Sequence, residues 1–89
     1  MEKYVPLGET VITANAKRTL HPEDVLVALA RHTAGDWGTV SDEDKRLNDE
    51  ALDEGSRVLS AYVDRNNVKF WIITEADRSV TTVLLPEDY

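Results

Sequence analysis

The chain contains no cysteine, which removes a disulfide framework and every thiolate zinc site from consideration. Its two histidines, His21 and His32, do not make a His-x-x-x-His pair, so neither a metal nor a metal-dependent cofactor is expected. Bases are scarce: 10 Lys and Arg stand against 17 Asp and Glu, a net charge of −7. A phosphate backbone is held mainly by Lys and Arg, so direct nucleic-acid binding is disfavoured. No apolar run approaches the roughly 18 residues that a membrane span needs. The opening MEKYVPLGE has no signal-peptide pattern; the expectation is a cytoplasmic protein without membrane association. The four glycines do not form a phosphate-binding loop, and Asp42-Glu43-Asp44 lacks the spacing of a calcium loop.

What remains is one small α+β domain of 89 residues with a single core. Arg57 to Leu85 carries most of the β-branched and aromatic residues and reads as three strands in an antiparallel meander. Asn66-Asn67 suits a two-residue hairpin turn, because asparagine tolerates positive φ. That register sets Asp64 opposite Lys69, Val63 opposite Phe70 and Tyr62 opposite Trp71. Alternation then assigns Leu59, Ala61, Val63, Phe70 and Ile72 to a core face. Tyr62, Trp71 and Ile73 fall on a mixed face with Ser60 and Lys69. Val83 and Leu85 join the core face, Thr82 and Leu84 the mixed one, and Pro86 ends the last strand.

Upstream, Glu9 to Thr13 alternates as a short strand that joins the sheet, and Ala14 to Leu20 suits one or two helical turns. His21-Pro22-Glu23-Asp24 is a helix start, with proline at the first position and acids in the first turn. Val25, Leu26 and Leu29 form the expected stripe of that helix, which stops at Gly35. Ser41 with Asp42-Glu43-Asp44 is a second N-terminus, and that helix runs to Glu54 before Gly55. The expected architecture packs both main helices on one face of the sheet.

Three groups of residues could act. In the second helix, Asp44 and Asn48 share a side with Leu47, Ala51 and Leu52; they either brace a loop or line a polar pocket that includes Arg57. Residues 36 to 54 hold eight acids and two bases, a net of −6, so Asp42, Glu43, Asp49 and Glu50 form either a solvated face or a surface for a basic protein partner. On the sheet, Tyr62 and Trp71 are the aromatic anchors of a mixed face that is covered by Tyr4 to Leu7 or left as an interface, homodimerisation being the simplest. The hairpin tip Glu75 to Ser79 either closes on itself or presents Asp77 and Arg78.

Gly35-Asp36-Trp37-Gly38, the Ser-Asp-Glu-Asp-Lys that follows, GSRVLSAY and WIITEADRSVTTVLLPEDY together resemble a group of small bacterial proteins labelled "plasmid-related protein". The likeness covers most of the chain from Leu7 onward. It implies a plasmid or other mobile element as the setting and an accessory role, such as plasmid maintenance or interference with host defence; it brings no catalytic residues. At fold level alone the meander also resembles small ribonuclease toxins, which hold RNA through basic residues that this acidic chain lacks. The expected function is therefore a non-enzymatic, acidic protein-binding module. The alternative is a small ribonuclease- or hydrolase-like enzyme with a site between His32, Asp36, Asp44, Asn48 and Arg57.

Overall fold

A computed structural model describes residues 3–89. The element order is β1 (Glu9–Ile12), α1 (Ala14–Thr19), α2 (Pro22–Thr33), α3 (Asp42–Glu54), β2 (Val58–Val63), β3 (Lys69–Thr74) and β4 (Val80–Leu84), then a 3-10 turn at Pro86–Asp88. The fold is α+β, with one four-stranded sheet in the order β1-β4-β3-β2. The meander β2-β3-β4 is antiparallel. β1 joins it parallel to β4, so the sheet is mixed. Among the described residues, no helix is long and apolar enough to cross a membrane.

The helix boundaries follow their caps. Thr13, His21 and Ser41 each accept a backbone N–H of the first turn, and Gly55 ends α3 in the left-handed conformation. The β2–β3 register differs from the sequence expectation by one residue: Val63 pairs with Lys69, Tyr62 with Phe70 and Ala61 with Trp71. Asp64 is the cause. Its carboxylate accepts from the N–H groups of Asn66, Val68 and His21, and its own N–H donates to Val68 O. With Asn67 at φ 63°, these bonds make the connection odd in length, which inverts every side chain of β2 relative to β3. Burial alone raises the Asp64 carboxyl, but the three backbone donors outweigh it and hold it below its ordinary range.

Tyr62, Phe70, Ile72, Val83 and Leu85 therefore share the core face, where they pack against Ala16 and Leu20 of the α1 region and Val25 and Ala28 of α2. The α2 stripe is Val25, Ala28 and His32, while Leu26 is 67% exposed; the helix is turned so that His32 meets the sheet. A second cluster joins Val5, Trp37, Ala51 and Val58. The segment Tyr4 to Leu7 thus lies on the helix side, tied by Val5 N–H to Thr33 O at 2.8 Å, so of the two alternatives for the mixed face, cover by this segment is not the one adopted.

α3 meets the core face only at its β2 end, where Ala51 packs with Val58. It stands at the edge of β2, and it seals that edge with side-chain chemistry. The Asn48 amide donates to Leu59 O at 2.8 Å and accepts from Leu59 N–H at 3.2 Å, as a neighbouring strand would. Two residues on, Thr39 N–H donates to Ala61 O and Ala61 N–H to Trp37 O, a parallel bridge made by Gly38. An edge treated in this way is no template for a foreign strand.

Candidate functional site

Asp44, Leu47, Asn48, Arg57 and Leu59 line one groove of about 310 Å³ between α3 and the start of β2. The structure therefore brings together Asp44, Asn48 and Arg57, the three members of the expected polar pocket. Their roles differ. Asn48 is 7% exposed and fully committed to the Leu59 backbone. Asp44 is exposed one turn earlier and forms the acidic rim. Arg57 forms the opposite rim, donating to the Tyr89 hydroxyl at 2.9 Å and lying over its ring. The floor is apolar, made by half-buried Leu59 and by Leu47, which is 47% exposed.

The groove opens onto the helix-free face of the sheet. Leu59 and Trp71 are diagonal neighbours there, since Ala61 pairs with Trp71. Trp71 meets Tyr89 edge-on, with ring centroids 5.8 Å apart, so Tyr89 bridges Arg57 and Trp71. Trp71 is half-buried on the face expected for it. Tyr62 is not: it is 2% exposed on the core face, donates to Asp36 O at 2.6 Å, and has Arg31 over its ring. Burial pushes its phenol up to about 12. The one-residue shift in register removes it as a partner anchor.

The acids of α3 divide in the same way. Asp42, Glu43 and Glu50 are exposed, and Arg46 bridges Glu43 and Glu50. Asp49 accepts from the Trp37 indole and from Lys3, both at 2.9 Å; these bonds hold its carboxyl below the ordinary range. It fastens α3 to the second core cluster. At the β3–β4 tip, Asp77 accepts from the N–H and hydroxyl of Ser79 and remains exposed. Arg78 turns away from solvent and donates to the carbonyls of Ser56 and Ala51. There it compensates the negative end of α3, a position that favours a cation; it is not presented to a partner.

The residues of the alternative enzymatic site are dispersed. His32 is fully buried on the core face, on the opposite side of the sheet from Trp71 and Leu59. Asp36 pairs with Arg31 at 2.8 Å. His32 Nδ1 meets Ser60 Oγ at 2.5 Å and Nε2 meets Thr74 Oγ1 at 2.8 Å. Thr74 meets Thr81 at 2.7 Å, and Thr81 donates to Leu7 O. Thr81 has one proton and gives it to Leu7, so Thr74 must donate to Thr81 and accept from His32. Burial keeps the imidazole neutral, so its single proton is on Nε2 and Ser60 donates to Nδ1. This serine–histidine contact has no access to a substrate. It is a directional chain of hydrogen bonds that ties α2, β2, β3, β4 and the N-terminal segment together.

Sequence patterning could not reveal that chain, because Ser60, Thr74 and Thr81 look like ordinary strand residues until the register is known. Asn48 did carry a signal, as a polar residue on an apolar stripe. Its replacement by alanine is expected to lower stability by about 2–3 kcal/mol, the cost of orphaning the two Leu59 backbone groups. Asn48→Asp keeps the acceptor but aims a charge at Leu59 O, so it is expected to be at least as damaging. Denaturant titration of the two variants beside wild type measures both; an Asn48→Ala loss under about 0.5 kcal/mol would mean that water replaces the amide without penalty.

Comparison of the chain with protein-family models, curated proteins and solved structures gives no significant match.

Proposed function

We propose that the chain is a non-enzymatic, acidic protein-binding module whose partner lies across the groove between α3 and β2. The observation that carries this reading is the apolar strip formed by Leu47, Leu59 and Trp71, bounded by Asp44 and the exposed acids of α3 on one side and by Arg57 on the other. Exposed apolar area rimmed by charge is characteristic of a partner surface, and tryptophan is a favoured anchor within one. The carboxylates along α3 favour a basic partner and accelerate its encounter. Resemblance to plasmid-related proteins suggests the setting: an accessory protein of a mobile element that engages a basic, nucleic-acid-handling host or defence protein. Dispersal of His32, Asp36 and Arg57 gives the hydrolase alternative no assembled site.

The test is affinity capture from the host with wild type, Leu47→Lys, Asp44→Lys and Trp71→Ala, each first shown to be folded by circular dichroism. The reading expects wild type to retain a basic protein in a salt-sensitive manner. Asp44→Lys should weaken the salt-sensitive part and Leu47→Lys should abolish retention, because a charge then faces the apolar floor. Equal retention of that protein by all four chains would overturn the assignment of this surface.

A further inference from the structure

The two edges of the sheet are treated in opposite ways. That of β2 is closed by Asn48 and by the Trp37–Thr39 bridge. That of β1 is open along its whole length, and all four of its residues are exposed. Glu9 N–H donates to Ser79 O and Thr13 N–H to Val83 O, so in this parallel ladder residues 9, 11 and 13 turn their backbone groups toward β4. Thr10 and Ile12 consequently turn theirs outward, where β1 has no second neighbour in the sheet. Among the described residues, no other hydrogen bond uses those groups. The strand also lacks proline, a bulge or lysine, the devices that usually keep an edge from pairing.

We infer that β1 pairs antiparallel with β1 of a second copy of this chain, about a two-fold axis through Val11, to give a continuous eight-stranded sheet. The edge is complementary to itself. Thr10 and Ile12 lie two residues apart with outward groups, so the two-fold sets Thr10 of one copy opposite Ile12 of the other. Each such pair exchanges two N–H···O bonds, four in all. Val11, 38% exposed on the helix-free face, meets Val11 of the second copy across the axis. Ile12, 39% exposed, flanks it on the helix face. Glu9, the only charged residue of the strand, falls opposite Thr13 and not opposite its own copy.

The net charge of −7 does not oppose this pairing, because it is concentrated at the far edge. Around β1, Lys17 and Arg18 balance Glu9 and Asp88, whose carboxylate accepts from Thr13 and Asn15, so the strand edge carries no local excess of negative charge. α3 stands beyond β2, three strand spacings from β1, which places the two acidic helices of the dimer on the order of 50 Å apart. Charges at that distance are screened at physiological ionic strength, where the Debye length is about 8 Å. The groove beside α3 remains open in both copies, so the inference is independent of the proposed function.

The test is sedimentation equilibrium over a concentration series on the whole chain. Wild type should approach twice the 10.0 kDa chain mass. Ile12→Pro removes an outward N–H that the fold does not use, and it should weaken association at least tenfold while leaving circular dichroism unchanged. Val11→Lys and Val11→Glu should each be monomeric alone and should form a heterodimer when mixed, since opposite charges then meet at the axis; this result does not depend on the proline variant folding. Trp71→Ala should dimerise as wild type does. A wild type that stays monomeric throughout overturns the inference, as does a dimer that a folded Ile12→Pro variant leaves intact. Failure of the lysine and glutamate variants to restore each other would equally move the interface away from Val11.

Discussion

Gly38→Ala is expected to lower the unfolding free energy by roughly 3–5 kcal/mol, a large share of what a domain of this size has. Gly38 has φ 74°, a conformation that costs a residue with a Cβ about 1–2 kcal/mol. An added Cβ would also stand 1.9 Å from Ala61 O and 2.8 Å from the Tyr62 ring. Neither neighbour can yield. Ala61 O is fixed by Thr39 N–H at 2.8 Å, and the Tyr62 ring is locked between its bond to Asp36 O and the packing of Phe70. The bridge must therefore open, losing both of its hydrogen bonds and leaving the Ala61 backbone exposed at the edge. Thermal unfolding should show a fall of about 15–25 °C. A fall of less than about 5 °C would mean that the 36–39 turn rearranges freely and does not hold the edge. Gly55 is the internal comparison: nothing lies within 4 Å of its built Cβ, so Gly55→Ala should cost only the conformational part.

The second large effect concerns pH. Burial pushes the His32 imidazole from its ordinary 6.5 down to about 4, with the Arg78 charge acting in the same direction. The folded state therefore prefers neutral His32, while the unfolded chain takes up a proton below about 6.5. Stability from this residue is complete above that pH. It declines as the pH falls and is lost by about 4, at a total of about 3 kcal/mol. Aspartates whose carboxyls are held low, such as Asp24 at about 2 beside Arg65, add their own loss at more acidic pH. The interval from 6.5 to about 5 therefore belongs to the histidine, and below it the aspartates contribute as well. Unfolding free energies at pH 7 and pH 5 should differ in wild type and differ much less in His32→Gln, which retains an amide donor and acceptor. His32→Ala leaves Ser60 and Thr74 without their partner and opens a cavity beside Trp37, for an expected loss of about 3–5 kcal/mol at neutral pH. If the two pH slopes coincide, His32 is not the titrating group, and the neutral imidazole that accepts from Ser60 at Nδ1 fails with it.

Local chemistry was legible in the sequence because it acts over a few residues. Thr13, His21 and Ser41 cap helices by bonding donors within three positions, Gly55 stops α3 through its own φ, and the β-branched runs from Val58 onward make strands in any register. The polar side of α3 was likewise readable from helical spacing, and it is the side that meets β2. Tertiary structure decided what one residue of register decides. Asp64 gathers three backbone donors, one of them from His21, 43 positions away; no local pattern announces that gathering. Its consequence is that Tyr62 enters the core, Val63 leaves it, and Trp71 is left on the helix-free face beside Leu59. Pairing of β1 with β4 across the whole length of the chain is non-local in the same sense, and so is the turn of Arg78 onto the end of α3. Side-chain alternation has a period of two, so a displaced backbone bond in one turn exchanges the interior of a strand for its surface.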